Sequence, residues 1–208
     1  QALAANTTGA SNTASGYYVF ENNTTGASNA GFGVMAMKAN TTGSYNTGLG
    51  TQALYANTTA NENTGIGYNS LYYTTTGAYN TSVGSASMQT NTTGANNVAI
   101  GRQSLYANTT AAKNTAVGHT ALAAVTTGGD NTAIGAEAGD SITTATNNVC
   151  IGFQAGAYGH NIVTGNANIM IGAYSHPNGT GGTHQIVLGY DVQAYGNSSF
   201  TFGNAASD

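Results

Sequence analysis

The chain has 208 residues, of which 5% are charged, with 30 glycines, one proline, one cysteine and no tryptophan. Its formal net charge is −4 and its only basic residues are Lys38, Arg102 and Lys113, which excludes the cationic surface that nucleic acid or an anionic membrane requires. No apolar run approaches the roughly 20 residues of a membrane-spanning helix, so no membrane insertion is expected, and the lone Cys150 excludes an intrachain disulfide.

An asparagine recurs every 17 residues, at Asn12, Asn29, Asn46, Asn63, Asn80, Asn97, Asn114, Asn131 and Asn148, each followed four positions later by a glycine, from Gly16 to Gly152. The pattern continues less regularly at Asn168/Gly172, Gln185/Gly189 and Ser199/Gly203. Fixed-period repetition of this kind marks a quasi-one-dimensional structure in which each unit touches its neighbours. The chain opens in mid-repeat, because Gln1-Ala2-Leu3 aligns with Gln52-Ala53-Leu54; that is the expectation for a piece of something longer.

Within a unit, the five residues from Asn to Gly alternate. Asn114-Thr115-Ala116-Val117-Gly118 is typical. Large apolar residues stand three after Asn (Phe32, Leu49, Ile66, Val83, Ile100, Val117, Ile134, Ile151), and small ones, such as Gly31, Ala99 and Ala116, precede them. Period-two alternation closed by glycine predicts a short strand. The expectation is that the large column faces the core and the small-residue face lies outward. Eight residues after Asn a second apolar column follows, Phe20, Met37, Leu54, Leu71, Met88, Leu105 and Leu122, read as a second strand on the opposite wall. Asn-Thr-Thr-Gly segments such as Asn40–Gly43 and Asn91–Gly94 then turn the chain, since Asn and Thr side chains bond to nearby backbone and Gly accepts positive φ.

The predicted fold is therefore all-β: a β-solenoid or β-roll of 17-residue coils, regular over 1–152 and irregular over 153–208. Stacked coils turn the Asn column into an amide ladder. The core is thin, and packing the small-residue face around Ala116 against copies of itself predicts a parallel homotrimer.

Units such as Asn114–Gly118 with Ala121-Leu122, joined by Asn-Thr-Thr-Gly linkers such as Asn91–Gly94, resemble the repeats of bacteriophage tail-fibre-like proteins and related fibre adhesins. They are similar, more loosely, to the β-roll heads of trimeric autotransporter adhesins. The resemblance implies a trimer, a role in host attachment, and location on a virion tail fibre or at the cell surface. In such fibres the repeats commonly precede an intramolecular chaperone domain, and Ser199–Asn204 looks like the lead-in to it.

Chemistry-bearing residues are sparse, and no catalytic residue, metal site or cofactor is expected. Glu137 and Asp140 are the only acidic residues close in sequence, short of the paired carboxylates of a polysaccharide depolymerase. Asp208 and the other acids are scattered, and His119, His160, His176 and His184 lack metal-ligand spacing. Cys150 reads as a small buried hydrophobe. Tyrosines share repeat positions (Tyr55, Tyr72 and Tyr106; Tyr45 and Tyr79; Tyr17 and Tyr68) and offer stacking surfaces for sugars. Asn-x-Thr sequons occur at Asn6, Asn23, Asn40, Asn57, Asn91 and Asn108. Paired threonines such as Thr92/Thr93 recur coil after coil, so an ice-binding or surface-adsorbing solenoid is the alternative, although adjacent threonines point apart in a strand. If the chain binds a cell-surface glycan or another receptor, the irregular coils are the place, through Tyr158, Tyr174 and His176, because loops on a rigid scaffold carry binding.

Overall fold

A computed structural model describes residues 2–204; Gln1 and Asp208 lie outside the described residues. The chain forms a parallel β-solenoid without a helix among the described residues. The strands are β1 (Thr13–Ser15), β2 (Ala30–Phe32), β3 (Thr47–Leu49), β4 (Thr64–Ile66), β5 (Thr81–Val83), β6 (Val98–Ile100), β7 (Thr115–Val117), β8 (Thr132–Ile134), β9 (Val149–Ile151), β10 (Ile169–Ile171), β11 (Ile186–Tyr190) and β12 (Phe200–Asn204). They make one 12-stranded sheet in sequence order, and every pairing is parallel. At about 4.8 Å per strand the sheet runs roughly 53 Å.

Coils are phased by asparagine. At Asn97 the backbone N–H and the side-chain amide donate to Asn80 Oδ1 (3.0 and 3.1 Å), the amide also donates to Ala111 O (2.9 Å), and Oδ1 accepts from Asn114 N–H (2.9 Å). The same linkage runs from Asn12 to Gln185. The expected amide ladder is present, and its members from Asn29 to Asn168 are buried. The Asn-Thr-Thr-Gly asparagines make a second ladder. Asn40 donates to Asn23 Oδ1 (2.7 Å) and to Gly43 O (3.0 Å). It breaks after Asn57 and after Asn108, where Thr74 and Val125 follow, and the buried Oδ1 atoms of those two asparagines have no partner. The sequons at Asn23, Asn40, Asn57, Asn91 and Asn108 are buried, with their amide nitrogens engaged, so the folded coil has no room for a glycan there.

Two expectations are overturned. The strands point their small residues inward: Ala99, Ala116, Ala133 and Cys150 are fully buried, whereas Ile100 and Ile134 are 41% and 42% exposed. Nor is there a second strand. The Phe20-to-Leu122 column is fully buried as expected, but it lies on a stretch of turns whose residues take left-handed φ, such as Gln103 (φ 56) and Leu105 (φ 49). The turns still bond coil to coil, as in Leu105 N–H to Ala121 O at 3.0 Å. A left-handed residue costs about 1–2 kcal/mol, and full burial of a Leu side chain returns about 1.5–3 kcal/mol.

The physical reason for both is room. A coil interior holds one large side chain, supplied by the turn wall, so the facing strand position must be small. A Cβ on Gly48 would come within 2.9 Å of Met37, and one on Gly31 within 2.6 Å of Val19 and 2.8 Å of Phe20. The large strand residues are left outside. Where the turn wall loses its large residue, at Gly139 and Gly156, Ile142 and Ile162 replace the turn asparagine and fill the space, and the strand position grows to Cys150 and Met170.

Stability should follow this inside–outside assignment. Leu105→Ala should destabilise by about 2–5 kcal/mol, while Ile100→Ala in the isolated chain should cost about 0.5 kcal/mol or less, both read by denaturant melts. Thr74→Asn, which joins the two halves of the second ladder and supplies a donor for Asn57 Oδ1, should stabilise by about 1 kcal/mol; an unchanged or lower melting temperature would contradict the ladder assignment.

Candidate functional site

The irregular end departs from the 17-residue spacing in one place that matters. From Asn148 to Asn168 the interval is 20 residues, yet β9 and β10 pair in register, Val149 with Ile169 and Ile151 with Ile171. The extra residues leave the wall between Gly156 and Ile162, whose backbone closes the neck of the loop through Ile162 N–H to Gly156 O at 2.8 Å. Tyr158, Gly159 and His160 stand exposed at its tip.

This loop folds toward the next coils. Tyr158 lies 4.7 Å from Tyr174 and 6.4 Å from His176, centroid to centroid. Tyr174 in turn contacts Phe153 (5.3 Å, 88° between planes) and Tyr190 (5.6 Å, 87°). His160 and His176 are 6.0 Å apart, and Gln193 Nε2 meets His160 Nδ1 at 3.1 Å. His176 is fixed by the strand-like bridge to Gln193, with its N–H on Val192 O and its carbonyl accepting from Ala194 N–H, each 2.9 Å. Gly159, at φ 64, lies against the His176 ring: a Cβ there would sit 3.3 Å from the imidazole.

The three residues anticipated from sequence, Tyr158, Tyr174 and His176, are therefore brought together. Phe153, Tyr190, His160 and Gln193 join them and were not anticipated. The repeat register held the signal. Phe153 and Tyr190 both stand five residues after the ladder position, and Tyr174 stands six after it, so stacking places the three side by side.

Elsewhere the tyrosines form shorter files. Tyr55 and Tyr72 stack at 4.9 Å with planes 2° apart, and Tyr73 meets Tyr72 edge-on at 4.5 Å. Tyr45 and Tyr79 are exposed on alternate coils, and Tyr45, Glu62 and Thr64 line a shallow open cleft. His119 contacts Arg102 at 3.0 Å, and Lys38 pairs with Glu21 at 3.2 Å.

Glu137 accepts a hydrogen bond from Gln154 at 2.5 Å, and Ser141 donates to Asp140 at 2.9 Å. Partial burial raises the Asp140 carboxyl above its ordinary value, against the opposing Ser141 bond. Full burial pushes the Cys150 thiol up to about 12, as befits an inert packed residue. Among the described residues no three His, Cys, Asp or Glu side chains cluster as metal ligands, and no helix is long and apolar enough to cross a membrane. No protein-family model, curated protein or solved structure matches this chain.

The raised Asp140 value has a definite pH signature. Its charged form is disfavoured in the folded coil, so the cost is absent below the unfolded carboxyl value and fully present above the folded one. Asp140→Asn, which keeps the acceptor for Ser141, should raise the melting temperature at pH 7, and the advantage should vanish in acid; an equal advantage at both pH values would refute the burial cause.

Proposed function

We propose that this chain is a non-catalytic structural and attachment segment of an extracellular or virion fibre, assembled as a parallel homotrimer. The observation that carries the reading is the uncovered outer face of the sheet. Both outward positions of all twelve strands are free of charge, one file rich in Thr and Val, the other in Ile, Val, Leu and Phe. Phe200 and Phe202 are 61% and 74% exposed at the end of these files. An apolar strip about 53 Å long is the kind of surface soluble monomers rarely leave open.

A second copy suits the strip better than a different partner. The strip offers no charge to read, and its period matches only another chain of the same repeat. A face-to-face parallel pair, related by a two-fold along the rod, sets the Thr-rich file of one copy against the aliphatic file of the other. Three parallel copies around an axis on the aliphatic side bring the aliphatic files together and leave the hydroxyls at the rim. The interface is thus the large-residue face, and not the Ala116 face anticipated from sequence, which lies inside the coil.

Light scattering should return a mass of three chains, each 20.8 kDa. Ile100→Asp should dissociate the assembly, while Leu105 and the ladder remain intact and the coil stays folded. A monomeric mass for the unmodified chain, or a trimer indifferent to Ile100→Asp, would refute the arrangement.

One observation favours a second reading, adsorption to an ordered surface such as ice. The second threonine of each pair (Thr8, Thr25, Thr42, Thr59, Thr76, Thr93, Thr110, Thr127, Thr144) is exposed on nine successive coils, while the first turns its hydroxyl to the next coil's backbone, as Thr92 Oγ1 does to Thr109 O at 2.9 Å. The result is a single file of hydroxyls and not a two-file plane, which is why attachment is preferred. Thermal hysteresis is the measurement that separates the two.

A further inference from the structure

The geometry points to a neutral-carbohydrate platform on the aromatic cluster of the irregular coils, built by Phe153, Tyr158, Tyr174 and Tyr190 with polar groups from His160 and Gln193. This deepens the attachment reading and rests on it only for the presence of the fibre, not for the site.

Four observations converge. The rings are contiguous across three consecutive coils, with centroid separations from 4.7 to 5.6 Å, so they make one surface about 10 Å long along the rod at two strand spacings. Tyr158 and Tyr190 are 45% and 57% exposed. Their edge-to-face contacts with Tyr174 leave apolar ring surface open to the C–H faces of a sugar, while tyrosine bodies combine that surface with a polar tip. Beside the rings, Gln193 and His160 are exposed and already hydrogen-bonded to each other, a paired donor and acceptor of the kind hydroxyl groups exchange with. Finally, the loop that delivers Tyr158 and His160 is dispensable to the coil. The sheet passes beneath it without a break in register, so its three additional residues serve the surface and not the core.

Charge selects the class of sugar. No Lys or Arg follows Lys113, and Asp191 adjoins Tyr190. A sialic acid, uronate or sulfated chain would therefore find no lysine or arginine there and one carboxylate. Nucleobases, which also stack on tyrosine, come with phosphates that the same field disfavours. A neutral hexose polymer meets neither objection.

The test uses the whole chain, with its assembly mass recorded in the same samples. An array of neutral oligosaccharides and, in parallel, polygalacturonate and polysialic acid are screened for binding. At least one neutral glycan should bind and the anionic polymers should not. Tyr158→Ala and Tyr190→Ala should each weaken that binding tenfold or more, with the melting temperature kept within a few degrees, whereas Tyr45→Ala on a regular coil should change it less than twofold. Absence of any neutral ligand, preference for an anionic polymer, or binding indifferent to both platform variants would overturn the assignment. If one of these binding failures occurs in samples whose assembly mass is three chains, the platform fails and the fibre stands; if the mass is one chain while Tyr158-dependent glycan binding persists, the fibre fails and the platform stands.

Discussion

A single interaction sets the geometry from which everything else follows: an asparagine side chain that bonds one coil to the next and the turn of its own neighbour at the same time. Asn has one acceptor and one two-proton donor at the same reach. At Asn97 the acceptor takes the following coil's N–H, and the donor spans the preceding asparagine and the turn carbonyl. No other side chain does all three. Aspartate would bring like charges one strand spacing apart, about 3–4 kcal/mol of repulsion per neighbour at an effective dielectric of 20. Glutamine is too long, and the exception is instructive. At Gln185 the side chain leaves the column and instead bonds Asn178, tying down the loop over Pro177 and Asn178. The 17-residue period is the contour length that lets a turn carbonyl return to the asparagine that needs it.

That period fixes the thickness of the coil, and thickness decides which residues are inside. With room for one large side chain across the interior, the wall that supplies it dictates a small residue on the other. The coupling is visible where it changes hands. Phe20, Met37 and Leu54 on the turn wall face Gly31, Gly48 and Gly65 on the strands, whereas Gly139 and Gly156 are matched by Ile142, Ile162 and Cys150. The interior is conserved as volume and not as residue type. The consequence outside is the apolar strip, because strand alternation leaves nowhere else for the β-branched residues to point.

The period, the first strand of each coil, the Asn-Thr-Thr-Gly turns, the ladder and the burial of the Leu/Met column were legible in the sequence, because each depends on residue type at a fixed interval; the second strand expected on that column is a run of turns instead. The direction of the strand faces was not. Alternation says that large and small residues face opposite ways; it does not say which way is in, and the usual rule that large apolar residues are buried gave the wrong sign at Ile100 and Ala116. The missing information was the coil's width, which is a property of two walls together. The left-handed backbone at residues such as Leu105 and Met88 was equally hidden, since bulky side chains seldom adopt it and only their burial holds them there. For the candidate site, Tyr158, Tyr174 and His176 were findable as departures from the repeat. Their neighbours Phe153 and Tyr190 share the column of Tyr17 and Tyr68, which other regular coils fill with Val34, Thr51 or Arg102, and only the register between coils places them beside Tyr174.

The contrast between constrained and variable columns shows where this solenoid can accept a binding surface. The ladder, the inner strand position and the turn carbonyls are constrained on both sides by neighbouring coils, so change there propagates along the rod. The positions five and six after the ladder residue are exposed or half-buried and are held mainly through their backbone, as Tyr174 N–H is to Phe153 O at 2.9 Å, with side-chain pairs such as Arg102–His119 and Gln154–Glu137 added on only some coils. Their side chains are therefore free to differ from coil to coil at little cost, and they do, from Ser85 to Arg102 to Phe153. A loop inserted between Gly156 and Ile162 is tolerated for the same reason: the backbone bond that closes its neck replaces the Ile142 N–H to Gly139 O bond of the preceding coil. The solenoid thus offers a rigid frame whose outer columns can be rewritten independently of its interior. The aromatic cluster is the stretch in which several adjacent columns and the added loop have been rewritten together.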